Sequence, residues 1–258
     1  MDLTPYEIYD VLIDAANKIS KSRYSVSFAL KGGTVLISRL IESNRMDLFR
    51  KTTDIDIHCN NKEVWNNFCR DVECILNTGT SRYRYALQGR RADTKGFDDS
   101  DSLRFLVTLA DGRTTRIKFD MNIKGQTGII LDFSELLGMP TYSASTMICD
   151  KIIAVSARSV FRRIKDIYDI AVLASLYSFR YSDLASQLRS RGTVALTNML
   201  IPQNMPDLAH AYDKFDGIMN KPEFRDLIYV VQRFLTPFYL GTDTDLIWDR
   251  GVGSWQYL

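Results

Sequence analysis

Two alternating segments constrain this chain more than anything else in it. LRFLVTLA from Leu103 and RTTRIKFDMNI from Arg113 place apolar residues at nearly every second position, with Asp111-Gly112 between them. A period of two is the side-chain repeat of a β-strand, and Asp-Gly is a two-residue hairpin signal, so the segments are expected to pair antiparallel. RYRYALQG, from Arg82, adds a third strand to this meander. After Pro140 the period changes to that of helices, over 144–159, 164–176, 181–190, about 206–219 and 222–238, and no further strand is expected. Upstream, Thr4-Pro5 followed by Glu7 reads as N-cap, first-turn proline and capping-box acid of a helix reaching about Ser22, and 62–76 has helical spacing through Val64, Trp65, Phe68 and Val72. The fold class expected is α/β (α+β). Residues 1–140 form the α/β domain, and the helical residues 141–258 pack on it and complete its cleft.

Within the first half, KTTDIDIHC (Lys51–Cys59) puts two acids one residue apart in a strand. Ile55 and Ile57 can enter a core while Asp54 and Asp56 share the other face, about 6.5–7 Å apart, within reach of one divalent cation or a close pair. A half-exposed strand with an acidic polar face is the competing reading. Val26, Phe28 and Leu30 form a strand that runs into Lys31-Gly32-Gly33-Thr34 and then an apolar helix, VLISRLI. Such a glycine turn presents backbone N–H groups at the positive end of a helix, where phosphate binds, although a tight structural turn explains the same residues. Asp120 shares its parity with Arg116 and Lys118 and is a candidate third carboxylate, the alternative being a cross-strand ion pair.

Composition narrows the chemistry. Two histidines and the cysteines at 59, 69, 74 and 149 match no zinc spacing and leave few members for a Ser-His-Asp triad. The cysteines are read as reduced, mostly buried thiols, and His58 as a packed or strand-end histidine. A net charge of +2 gives no global basic field, so any nucleic-acid contact must be local. Arg82, Arg84, Arg90 and Arg91, with Tyr83 and Tyr85 between, form either such a basic and aromatic patch or an ordinary amphipathic strand. GFDDSDS, with Asp98, Asp99 and Asp101, is read as a solvated turn rather than a calcium loop. The opening MDLTPYEIYD lacks a basic run before an apolar one, and no stretch approaches the ~20 apolar residues of a membrane span, so a cytoplasmic protein is expected.

GGTVL, then DIDI, then the acid within IKFDMNI, is similar to the polymerase-β-like nucleotidyltransferase superfamily, and SASTMICDKIIAVSARSVFRRIKDIYDIAVL resembles the AbiEii nucleotidyltransferase toxin family. Asp150-Lys151, Arg158 and Lys165-Asp166-Ile167-Tyr168-Asp169 stand in the order that family uses. Thr34 stands where the superfamily often has serine, and Lys165 where the family often has arginine. The likeness spans roughly residues 25–175, and the last eighty residues carry no recognised motif. It implies a polymerase-β-like mixed sheet with flanking helices, plus a C-terminal helical bundle. It also implies a metal-dependent enzyme moving NMP from an NTP to RNA, the 3′ end of tRNA above all, as a toxin opposed by a separately encoded antitoxin. Asp54, Asp56 and Asp120 would hold two Mg²⁺ ions. Gly32, Gly33 and Thr34 would hold the β and γ phosphates. Lys151 would meet the triphosphate, and Asp166 and Asp169 would line the cleft. Helical spacing alone puts Arg162 one turn before Asp166, an i, i+4 pair that would leave Lys151 for an anion. An antibiotic-type transferase, a protein-directed transferase and a non-catalytic nucleotide-binding module are the rival readings.

Overall fold

The computed structural model describes residues 3–92, 100–122, 127–156, 160–192, 196–242 and 244–258. It divides into two units, one of residues 1–125 and 131–142, the other of 126–130 and 143–258.

The first unit opens with α1 (Pro5–Ser20), whose capping box forms as expected: Thr4 Oγ1 accepts from the Glu7 N–H, and the Glu7 carboxylate accepts from the Thr4 N–H at 2.8 Å. Arg113 donates to Glu7 at 2.6 Å and, ahead of the Thr4 N–H, holds its pKa down to about 2. Then follow β1 (Phe28–Lys31), α2 (Gly32–Glu42), β2 (Asp54–Cys59), α3 (Lys62–Leu76), β3 (Tyr83–Ala92), β4 (Ser100–Leu109), β5 (Thr114–Asn122), β6 (Leu131–Ser134) and β7 (Met139–Tyr142). The strands make one mixed sheet in the order β3-β4-β5-β2-β1-β7-β6, parallel at β2–β5 and β1–β7 and otherwise antiparallel.

Alternation decides which face is core. Ile55, Ile57, Leu103, Phe105, Val107 and Phe119 are fully buried on the side that α1 and α3 cover, where Phe68 meets Phe28 and Phe119 edge-on. The polar residues of the same strands, Asp54, Asp56, Lys118 and Asp120 among them, take the opposite face. The β4–β5 loop has four residues, Ala110 to Arg113, where the Asp-Gly pair suggested two: Gly112 takes φ +83° and its N–H bonds the Leu109 carbonyl at 3.0 Å. That is a tight turn closed by a left-handed glycine. The β6–β7 hairpin contains Pro140, so strands do not stop there.

The second unit holds α4 (Ala144–Val155), α5 (Ile164–Leu176), β8 (Phe179–Arg180), α6 (Tyr181–Ser190), α7 (Met205–Asp213), α8 (Phe224–Leu240), β9 (Leu246–Asp249) and β10 (Ser254–Tyr257). α5, α6 and α8 lie close to where their spacing puts them, α4 ends at Val155 and α7 at Asp213, short of the expected 159 and 219, and β8, β9 and β10 form a small antiparallel sheet that was not expected. Strands of two to four residues are too short to show a period. What fixes them is aromatic packing: Trp248 is buried with its indole N–H on the Ala174 carbonyl, and Trp255 donates to the Phe234 carbonyl at 2.9 Å. Among the described residues no helix is long and apolar enough to cross a membrane.

Candidate active site

The acids of the first unit are assembled by strand register. β2 and β5 run parallel with Asp54 opposite Lys118 and Asp56 opposite Asp120, and β1 sets Lys31 opposite Asp56 from the other side. One cross-strand row therefore reads Lys31, Asp56, Asp120, Ser102 and Arg91, and the next Asp54, Lys118, Arg104 and Gly89. A cavity of about 380 Å³ is lined by Lys31, Asp56, Arg91, Ser102, Asp120 and Asn122.

The glycine turn lies on top of this row. A Cβ on Gly32, which sits at φ +70°, would fall 1.9 Å from Asp56 Oδ2, so no other residue fits without moving that carboxylate. Gly33 is similarly close to Thr52 Oγ1, at 2.8 Å for a built Cβ. The first N–H groups of α2 receive no side-chain cap, which leaves the positive end of the helix beside Asp56. Thr34 takes a different role from the one expected of it. It is fully buried and its hydroxyl donates to the Asp54 carbonyl at 2.7 Å, so it pins the turn to β2 and does not face a phosphate.

Asp120 lies 2.7 Å from Lys118 Nζ. Burial pushes its pKa up, Lys118 opposes that, and the charge of Asp54 adds to it. Among the described residues no three carboxylate, histidine or cysteine side chains stand grouped as a ready metal site. The donor set nonetheless fits a hard divalent cation by its chemistry. It offers carboxylate oxygens on one face of adjacent strands, and Asp120 carries a repulsive load from Asp54 that a cation would relieve. His58 continues the parity of the acids but is buried, its ring 5.7 Å from that of Tyr142.

In the second unit Lys151, on α4, reaches two acids of α5, Asp166 at 2.7 Å and Asp169 at 2.8 Å. Asp169 is fully buried. The amine is thus held by carboxylates rather than left for an anion, and the cation of the same segment that approaches Asp166 is Arg163, at 3.7 Å, rather than Arg162. Asp150 pairs with Arg191. Arg158 lies outside the described residues, as do Asp98 and Asp99.

The aromatic half of the expected nucleic-acid patch is corrected. Tyr83 and Tyr85 are buried on the core side, and the Tyr85 hydroxyl donates to Asp14 at 2.7 Å, so neither ring is open to a base. Arg82 pairs with Asp10, and Arg90 with Asp101. Asp101 is no solvated turn residue: it is buried in β4, where Trp65 donates to it at 3.0 Å. Lys118 and Arg104 were legible only as strand residues, because what each does depends on the strand beside it.

Comparison with known proteins adds the following. The family model described as nucleotidyl transferase AbiEii toxin, type IV TA system, matches residues 15–227, further than the 25–175 over which motifs are visible. An antigenic nucleotidyltransferase-like protein from Paracoccidioides brasiliensis is similar at 16% identity and a TM-score of 0.45, over 81% of this chain and 93% of that one. No curated protein matches. The chain belongs to the AbiEii nucleotidyltransferase toxin family of type IV toxin–antitoxin systems, and it is a nucleotidyltransferase.

Proposed function

We propose that this enzyme transfers NMP from an NTP to an RNA acceptor, the 3′ end of a tRNA, with release of pyrophosphate, and that it acts as a toxin opposed by a separately encoded antitoxin. One observation carries the chemistry: Asp56 and Asp120 face each other on neighbouring strands in one cavity, with the Gly32 backbone pressed against Asp56 at the start of α2. Metal-ligating acids and a phosphate-binding turn are thereby neighbours, as phosphoryl transfer requires.

Asp54, Asp56 and Asp120 would hold two Mg²⁺ ions, which when bound neutralise the triphosphate and acidify the acceptor hydroxyl. The N–H groups of Gly32 and Gly33 hold the β and γ phosphates. Asp120 assists removal of the acceptor proton. The choice of RNA draws on the toxin family and on exposed arginines sharing the face of the acids.

The test is to incubate the protein and its Asp56→Ala variant with Mg²⁺, each labelled NTP in turn and total tRNA, with aminoglycosides and total protein as parallel acceptors. Label on tRNA with the intact protein alone is the expected result. Full transfer by Asp56→Ala would remove the acid site, and label on another acceptor would remove the RNA.

A further inference from the structure

The face that carries the acids becomes basic toward the β3 edge, and a β-bulge makes it so. β3 and β4 pair Leu87 with Phe105 and then Gly89 with Arg104, leaving Gln88 unpaired. One extra residue reverses the parity of everything after it. Arg90 consequently turns to the core side, where it donates to Asp101 and Asn66, each at 2.7 Å. Arg91 turns to the outer face beside Ser102.

Among the exposed arginines of that face, Arg91 on β3, Arg104 on β4 and Arg116 on β5 form a diagonal, each one row displaced from the last, with Arg84 further along β3. Strand spacing and rise put successive members of this diagonal roughly 8 Å apart. None makes a hydrogen bond or ion pair among the described residues. Gly89, opposite Arg104, has no atom within 4 Å of where a side chain would begin, and the hollow it leaves, of about 420 Å³, is lined by Arg91, Arg104 and Arg116. Arg91 also lines the cavity of Asp56 and Asp120, so hollow and acid site adjoin.

We propose that Arg91, Arg104 and Arg116 are a track for the phosphodiester backbone of a single-stranded RNA acceptor, upstream of the end that reacts at Asp56 and Asp120. This rests on the reading that the acceptor is RNA. Guanidinium groups that make no ion pair among the described residues suit repeated phosphates, each of which accepts two parallel hydrogen bonds from one fork. The adjoining cavity favours an occupant that also delivers a reacting end to the acids. A triphosphate at the Gly32 turn has no use for charges two to four strands away, and neither has a small acceptor. With Tyr83 and Tyr85 turned inward, the track reads backbone and not bases, so binding upstream of the end is indifferent to sequence.

The experiment measures binding of a fluorescent oligouridylate to the whole protein across a potassium chloride series, beside binding of ATP with Mg²⁺ and label transfer to tRNA. A triple variant, Arg91→Gln with Arg104→Gln and Arg116→Gln, is expected to bind at least about tenfold more weakly. Its salt slope should be shallower by about two, the yield of three lost single-strand contacts. ATP binding by the double variant Arg104→Gln with Arg116→Gln and the thermal melt of the triple variant stay unchanged, and the triple Arg→Lys variant keeps the slope. An unchanged slope with tRNA transfer intact would overturn the track and leave the RNA reading standing. Absence of RNA binding and transfer in the unaltered protein would overturn both. Equal loss of ATP binding in the double glutamine variant would make the arginines a nucleotide site. Retained RNA binding with lost binding to polyglutamate would give them to an acidic protein, and either result overturns the track.

Discussion

Gly32 is the residue on which the site turns. Its positive φ and the 1.9 Å approach of a built Cβ to Asp56 Oδ2 mean that Gly32→Ala must move either the turn or the carboxylate. The expected outcome is a loss of transfer of about 100-fold, the usual cost of a displacement near 1 Å in a reacting pair, with the fold retained by circular dichroism. Asp120 makes the opposite kind of prediction. Its raised pKa means that the folded state holds this proton more tightly than the unfolded chain does. Stability from this group is therefore present in acid and lost as pH rises through the folded-state pKa. Asp120→Asn removes that loss. Melting temperatures of variant and parent should coincide near about pH 3 and diverge in favour of the variant toward about pH 7, while transfer disappears. A variant that melts lower at neutral pH would show that the Lys118 ion pair outweighs the cost of burial.

At the scale of elements, α4 and α5 are tied by a lysine between two acids. Asp169 is fully buried, and Lys151→Met would leave it charged with its main counter-ion gone. A loss of about 3–5 kcal/mol in urea unfolding is expected, and adding Asp169→Asn should recover part of it. A loss below about 1 kcal/mol would mark the pair as surface-like. The order of Lys151, Asp166 and Asp169 along the chain was legible, as was their placement on two helices, since both follow from spacing. That the lysine meets both acids was not, because contact between helices depends on how they pack. β3 shows the same limit. Parity sets Arg82 and Arg84 opposite Tyr83 and Tyr85, but it does not carry past Gln88, because a bulge is settled by the partner strand and leaves no mark in the period. The small β8-β9-β10 sheet escaped notice for want of length, although Trp248 and Trp255 are its signal in retrospect.

For the whole molecule, membership of a toxin family makes the clearest demand. Expression of the chain should arrest bacterial growth, and Asp56→Ala expressed to the same level should not. Chelation of divalent cations should stop transfer in vitro, and added Mg²⁺ should restore it. Arrest by the Asp56→Ala chain would separate toxicity from nucleotidyl transfer.

The sequence by itself determined most of the helices and the faces of the long strands. The periods of two and 3.6, the Thr4 cap and the DIDI alternation are local, and local spacing suffices to say which side chains share a face. Tertiary structure decided everything that needs a second strand or helix. It set Asp56 opposite Asp120. It spent the Thr34 hydroxyl on Asp54, turned Arg91 outward and Arg90 inward, and closed Lys151 onto two acids. The reason is common to all of these: a side chain's direction is fixed by its own backbone, but its partner is fixed by register and packing, which join residues far apart in the chain.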